Sequence, residues 1–438
     1  MTARAGLAIG LAALALCACS GATGTVTVEL AIAPDSRVLD GVTRLRVTLT
    51  TPRTVVEAAR SGSGFDLSLE VDAGPDSAAV IVEGLDDAGA VIAYGQTPEF
   101  TIGAITARVV VYMAAPRSIA LSPRSLSDSL TDVATASLGF GAVIAGGRTS
   151  AGALATGLTI YNAYDHSLVE GLPLPEARSG LAVATNAFGA VYLFGGVGTN
   201  GIPSGTLWRF DTNAGPRGGY VTVSNNAEVA RSRQAMVSIG SDRFLITGAP
   251  ALMLDRGLLS QRTDVAALPP IGAPLTLPNG QAAAMFAGEP LLLFRAGEFT
   301  SLAASAANDA AMAALPDGRG LVIGGLAPEP QHDALIVDGE SGQVTVVAGV
   351  LATARSSPSV AATRRHVIVA GGTDAAGAPV ATAEVLDART LVPVVTLPII
   401  ARSGAFAIAL SNDQVLIGGG SPASAQLELF TPEPPGLP

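Results

Sequence analysis

Ala177-Arg178-Ser179 opens a stretch that runs through Leu181 to Thr185, a polar turn, and Ala190 to Phe194 into the pair Gly195-Gly196. The tripeptide returns at Ala230-Arg231-Ser232, Ala354-Arg355-Ser356 and Ala401-Arg402-Ser403. Each arginine stands 16 or 17 residues before a glycine that closes an apolar run: Gly195, Gly248, Gly371 and Gly418. Each interval reads as a small-residue strand, a polar turn and a second strand. Three more hairpins fit the template, ending at Gly146-Gly147, Arg295-Ala296 and Gly324-Gly325, which makes seven. Third strands closed by an aspartate follow most of them, as Leu207 to Phe210 with Asp211, Leu252 to Leu254 with Asp255, Leu335 to Val337 with Asp338, and Val385-Leu386 with Asp387. Fourth strands stand at Tyr220 to Val223, Val344 to Val347 and Val392 to Leu397. Four antiparallel strands every 47 to 53 residues describe the blades of a β-propeller.

The residue types suit that architecture. First strands crowd the axis, so Ala282-Ala283-Ala284 and Ala310 to Ala314 are expected to supply short side chains there. Paired glycines allow positive φ and close backbone approach after the second strand. A closed ring needs its last blade completed from the other end of the chain, and Arg117 to Leu121 can lie beside Leu427 to Phe430 for that purpose. Only 29 residues separate Arg295 from Gly324, so a thin blade between Leu291 and Asn308, or a ring of six blades instead of seven, is also expected.

These segments resemble the kelch repeat in their Arg-Ser start, in the second strand Tyr192-Leu193-Phe194-Gly195-Gly196, and in the third strand before an Asp turn. Trp208, the one tryptophan, falls on a third strand where the family's tryptophan belongs on the fourth. The resemblance spans about 315 residues, from 116 to 432. It implies a kelch-type propeller, and it implies that Arg178, Arg231, Arg355 and Arg402 start innermost strands near one opening of the channel. Some members use such arginines to hold carboxylates of a partner, so these four are candidate ligand-binding residues for a protein or acidic glycan. The alternative is that each bonds carbonyls of the adjacent blade while the serine caps a turn.

The N-terminus supplies an address. Arg4 precedes an apolar run from Ala5 to Leu16, short for a membrane span and right for a signal-peptide core. Leu16-Cys17-Ala18-Cys19 resembles a bacterial lipobox, with cleavage after residue 18 and acylation of Cys19. Ser20, not aspartate, follows, which favours the outer membrane. From 19 to 115, alternating runs at Thr25 to Ala33, Arg44 to Thr50, Phe65 to Val71, Ala78 to Val82, Val91 to Tyr94 and Ala107 to Met113 indicate an immunoglobulin-like or transthyretin-like β-sandwich. Asp72, Asp76, Asp86 and Asp87 read as its turn residues. A Pro-rich tail occupies 433 to 438.

Composition narrows the chemistry. The chain has 438 residues, 49% apolar and 14% charged, as a globular protein of two or three domains has. All 25 basic residues are arginine, the net charge is −11 and no basic run occurs, which argues against a nucleic-acid partner. With Cys17 and Cys19 at the processing site, no thiol remains for a disulfide, a metal or catalysis. The copper oxidases among kelch-like proteins need a cysteine cross-linked to tyrosine and two histidine ligands; His166, His332 and His366 have no such spacing and read as solvated turn residues. No nucleophile elbow, phosphate loop, zinc-binding helix or calcium loop occurs, so no catalytic residue, metal or cofactor is expected. The expected function is an envelope-anchored binding or scaffold lipoprotein; the alternative, known among bacterial kelch propellers, is a cofactor-free sugar mutarotase or epimerase.

Overall fold

The computed structural model describes residues 23–62, 65, 68–72, 76–101 and 107–436; Cys17 and Cys19 lie outside them. Among the described residues the chain is β-structure apart from one 3-10 turn, Ala227–Val229. No helix there is long and apolar enough to cross a membrane.

Before residue 113 two sheets face each other. One has the order Ser68–Asp72, Thr23–Ala31, Ala107–Tyr112, the last two parallel; the other has the order Thr54–Ala59, Arg44–Leu49, Val80–Leu85, Val91–Gln96. Val28, Val109 and Val111 from the first meet Leu45, Val47, Leu49, Val80 and Val82 from the second in one core. The alternation of each strand explains this, because every second side chain points the same way. Thr54–Ala59 was not expected as a strand: it is an edge strand whose Val55 and Val56 are exposed, so no apolar face announces it.

Seven further four-stranded antiparallel sheets, numbered 1 to 7 here, occupy 118–431 in a propeller-like arrangement. Sheet 2 is typical, with strands Ser179–Thr185, Val191–Val197, Thr206–Asp211 and Gly219–Asn225. The first strands of sheets 1 and 3 to 7 are Ala134–Leu138, Met236–Ser238, Ile271–Thr276, Ala311–Ala314, Ser359–Ala362 and Phe406–Ala409. They neighbour one another in chain order, and Phe406–Ala409 returns to Ala134–Leu138. Sheet 7 takes its fourth strand, Ser118–Leu121, from the other end of the chain, pairing Ser118 with Thr431 and Ile119 with Phe430. Apolar side chains fill each gap between sheets, as where Val143 and Leu158 of sheet 1 meet Leu181, Leu193 and Phe210 of sheet 2.

Sheet 4 departs from the sequence reading. Ala282-Ala283-Ala284 lies on its second strand, Ala282–Ala287, not at the axis, and the first strand is Ile271–Thr276. Pro270, Gly272 and Pro274 hid that strand, although Ala273, Leu275 and Leu277 are buried in the ordinary way. The sheet has all four strands, because Leu292–Arg295 and Glu298–Ser301 are joined by only Ala296-Gly297 and so fit within the short interval.

The two parts meet at one end. Tyr112 and Ala114 share a core with Leu126, Ala142, Leu416 and Leu429. Buried Gln96 and Asn412 exchange hydrogen bonds: Gln96 Nε2 donates to the Asn412 carbonyl at 2.6 Å and Asn412 Nδ2 to the Gln96 carbonyl at 3.0 Å. Asn412 belongs to a turn between first and second strands, so the N-terminal part abuts the end of the channel formed by such turns, called the near end below.

Candidate functional site

The four candidate arginines are buried, and their guanidiniums lie within their own sheets. Arg355 Nη1 donates to the carbonyls of Gly371 and Thr382, each at 3.0 Å, Nε to Thr353 at 3.1 Å, and Nη2 to Glu384 Oε1 at 2.5 Å. Arg402 repeats the pattern with Ile400, Gly419 and Glu428. Arg231 bonds the carbonyls of Val229, Thr247 and Pro250 and has no carboxylate, leaving Nη2 without a hydrogen-bond partner. Arg178 bonds the Gly195 carbonyl and Glu176, and stacks on Trp208 with its Cζ 4.1 Å from the ring centroid. Burial pulls the Arg355 and Arg402 guanidiniums below the usual arginine range, opposed by Glu384 and Glu428, and burial pushes the Glu428 carboxyl up.

Contact with the adjacent sheet is made by each arginine's backbone carbonyl. It accepts from Gly147, Gly196, Gly325 and Gly372, at the end of the preceding sheet's second strand, for Arg178, Arg231, Arg355 and Arg402 respectively, at 2.8 to 2.9 Å. Gly371 shows why the glycine pairs occur: its φ is +63°, and a Cβ there would collide with the Arg402 carbonyl oxygen.

The residues that ring the end of the channel opposite the near end stand at or near the position two residues beyond each arginine. Asp132, Gly180, Arg233, Asp309, Ser357 and Gly404 all have positive φ. Main-chain bonds run around the ring from Arg233 to Gly180, Gly180 to Asp132, Ser357 to Asp309 and Gly404 to Ser357. Sheet 4 enters through Pro269-Pro270, which have no N–H, and interrupts the ring. A cavity of about 840 Å³ opens there, lined by Asp132, Arg233, Glu289, Asn308 and Asp309. Arg233 pairs with Asp132 at 3.4 Å.

At the near end a cavity of about 970 Å³ is lined by Ala314, Ala362 and Ala409 and by Glu99, Tyr164, Asp317, Arg364 and Asp413. Glu99 comes from the N-terminal part, and its carbonyl accepts from Tyr164 Oη at 2.8 Å. Arg364 Nε contacts both oxygens of Asp413, at 2.9 and 3.1 Å, and the hydrogen bond to that carboxylate raises the Arg364 pKa. Asp317 accepts from Arg319 Nε at 2.8 Å. The cavity therefore combines a small-residue floor with a phenol, a partly exposed guanidinium and carboxylates. No motif in the sequence announces this group, because its members come from four turns and from the other part of the chain.

Two histidines correct the sequence reading. His166 and His366 are buried, and only His332 is exposed. His166 sits in a turn with φ +55°, but its ring is turned inward onto Tyr112, with Nδ1 2.6 Å from Tyr161 Oη. Burial lowers its pKa to about 4. His366 Nε2 lies 3.2 Å from Glu433, whose carboxylate also faces Arg117 and Arg365, so the start of the Pro-rich tail is tied to the sheets. Asp338 and Asp387 are turn residues, each accepting from main-chain N–H groups just beyond it.

No family model matches the chain, and no curated protein matches it. Among solved structures it is similar to a fungal alcohol oxidase of the AA5 family in complex with copper, at 12% identity and a TM-score of 0.53 over 72% of this chain and 75% of that one. The likeness is one of fold. Among the described residues no three His, Cys, Asp or Glu side chains form a group that could hold a metal ion.

Proposed function

We propose that the chain is a bacterial envelope lipoprotein, acylated at Cys19 and held at the outer membrane, whose propeller binds a protein or glycan ligand. In this reading the seven sheets are the blades of a closed kelch propeller, and residues 19–115 contribute an immunoglobulin-like or transthyretin-like sandwich. Arg178, Arg231, Arg355 and Arg402 then serve first as ties within and between blades. The observation that carries the binding reading is the near-end cavity, where Glu99 of the N-terminal part joins Tyr164, Arg364 and Asp413 over an apolar floor. Concave apolar surface with a few convergent polar groups is the usual form of a ligand site. The reading calls on no cofactor.

Capture of envelope glycans and envelope proteins by the mature chain, compared with Arg364→Ala and Tyr164→Ala, tests it. Loss of one captured species in both variants, with unchanged melting, supports the cavity. Equal capture by all three proteins rules it out. The mutarotase or epimerase alternative draws on the three carboxylates of the same cavity, but Asp317 and Asp413 are engaged by arginines. Polarimetry on freshly dissolved aldoses separates the readings, since acceleration abolished by Glu99→Gln favours the enzyme.

A further inference from the structure

Sheets 6 and 7 meet their buried arginines with third-strand glutamates; sheets 2 and 3 do not, and sheet 2 is built differently from both patterns. Arg355 bonds the Thr382 carbonyl, and two residues on stands Glu384, its carboxylate partner. In sheet 3, Arg231 bonds the Pro250 carbonyl, and two residues on stands Leu252. In sheet 2, Arg178 reaches Thr206 Oγ1 at 3.4 Å, and two residues on stands Trp208. Trp208 offers a ring face to the guanidinium but no negative charge. The counter-charge comes instead from Glu176, whose Oε2 is 2.7 Å from Nη2 and whose side chain is 47% exposed, against 2% for Glu384.

Space accompanies the substitution. Between the loops that flank Arg178 lies a cavity of about 320 Å³, at the end of the sheet opposite the near-end cavity. It is lined by Arg178 itself, only 3% exposed, with Glu176, Asn200, Ser204, Thr206 and Asn225. Arg178 Nε has no hydrogen-bond partner. The Oδ1 atoms of Asn200 and Asn225 accept from Ile202 N and Thr206 Oγ1, which leaves their amide nitrogens as donors. Among the four arginine sheets, this one combines a buried guanidinium, an aromatic face, a displaceable exposed carboxylate and a hydroxyl- and amide-lined cavity.

We propose that this cavity binds a small hydroxylated carboxylate, a sugar acid, whose carboxylate takes the place of Glu176 on Arg178 while its hydroxyls meet Asn200, Ser204 and Asn225. The bond formed is the one Glu384 makes to Arg355 in sheet 6, supplied from outside the chain. Glu176 acts as an intramolecular competitor tethered two residues from the arginine, so ligand affinity is set against it. The site is separate from the near-end cavity and does not depend on the reading given for it.

Trp208, the single tryptophan, reports on the site directly. Its fluorescence in the mature chain is followed while D-glucuronate, D-glucose or acetate is added at ionic strength fixed with sodium chloride. Expected are a saturable change with glucuronate, at least tenfold tighter in Glu176→Gln than in wild type, weakened at least fivefold again by adding Asn225→Ala, and untouched by Arg364→Ala. Glucose should give no saturable change, and acetate should bind at least tenfold more weakly than glucuronate. The proposal is overturned if Glu176→Gln shows no saturable response, if its response matches that to chloride, or if acetate binds as tightly as glucuronate. A cooperative melting transition for each variant, well above the titration temperature, confirms that folded proteins are compared.

Discussion

Glu384→Gln should unfold the protein far more easily than the removal of one charge on a surface would. Arg355 is fully buried and Glu384 is 2% exposed, and the variant keeps the shape while leaving the guanidinium without a counter-charge. Glu384 also accepts from the main-chain N–H groups of Ala352 at 2.7 Å and Thr353 at 3.1 Å, so a neutral amide would turn a donor towards donors in at least one of its orientations. Breaking a buried pair from one side costs about 3–5 kcal/mol. Spread over roughly 310 residues unfolding together at ~2.1 cal/mol/K per residue, 4 kcal/mol lowers Tm by about 6 °C. Thermal unfolding followed by circular dichroism measures this. Arg355→Met/Glu384→Leu should recover little of the loss, because the carbonyls of Thr353 and Gly371 and the N–H groups of Ala352 and Thr353 are then left unmatched at ~1 kcal/mol or more each. A Glu384→Gln protein within about 1 kcal/mol of wild type would refute the assignment of these arginines as paired internal ties.

Acid should weaken the fold through His166. Its folded pKa is depressed by burial to about 4 from 6.5, so the unfolded chain binds the extra proton and stability falls as pH drops from 6.5 towards 4, by up to ~3 kcal/mol; His166→Asn, which tolerates the positive φ, should flatten urea midpoints across that window. Gly371→Ala should cost at least ~1–3 kcal/mol in urea denaturation, since the added Cβ meets both a positive φ and the Arg402 carbonyl, whereas Gly377→Ala, which also has a positive φ but open space, should cost less. Cys19→Ala should move the protein from the membrane to the soluble fraction, and wild type should show an acyl mass addition; membrane retention without acyl mass would reject lipidation there.

Much of the architecture is written in the repeat itself. Periodic hairpins with paired glycines are local signals, and the closing strand Ser118–Leu121 follows from the need to cover an edge. Two of the strands that escaped reading, Thr54–Ala59 and Ile271–Thr276, are ones in which exposure or proline removes the alternation that local reading depends on. Neither failure reflects a different physical rule; both mark places where tertiary packing supplies what the local pattern lacks.

The direction of the arginines is a harder case. Equal repeat position fixes the height and the radial distance of Arg178, Arg231, Arg355 and Arg402, but not whether each side chain turns to the axis or into its sheet. That choice is made by groups 16 to 29 residues downstream: the carbonyls of Gly195, Thr247, Gly371 and Gly419, and the carboxylates of Glu384 and Glu428. The one local sign was a glutamate on the third strand of the last two repeats, 29 residues after Arg355 and 26 after Arg402, where apolar residues would otherwise be expected in a buried strand. A buried glutamate needs a buried cation. Read that way, the pairing points the arginines inward in sheets 6 and 7, and its absence in sheets 2 and 3 singles out Arg178 and Arg231 as the two whose charge must be met otherwise. Sheet 3 meets it with carbonyls alone, and sheet 2 with an exposed glutamate over a cavity, so the departures from the repeat, more than the repeat, indicate where a ligand can enter.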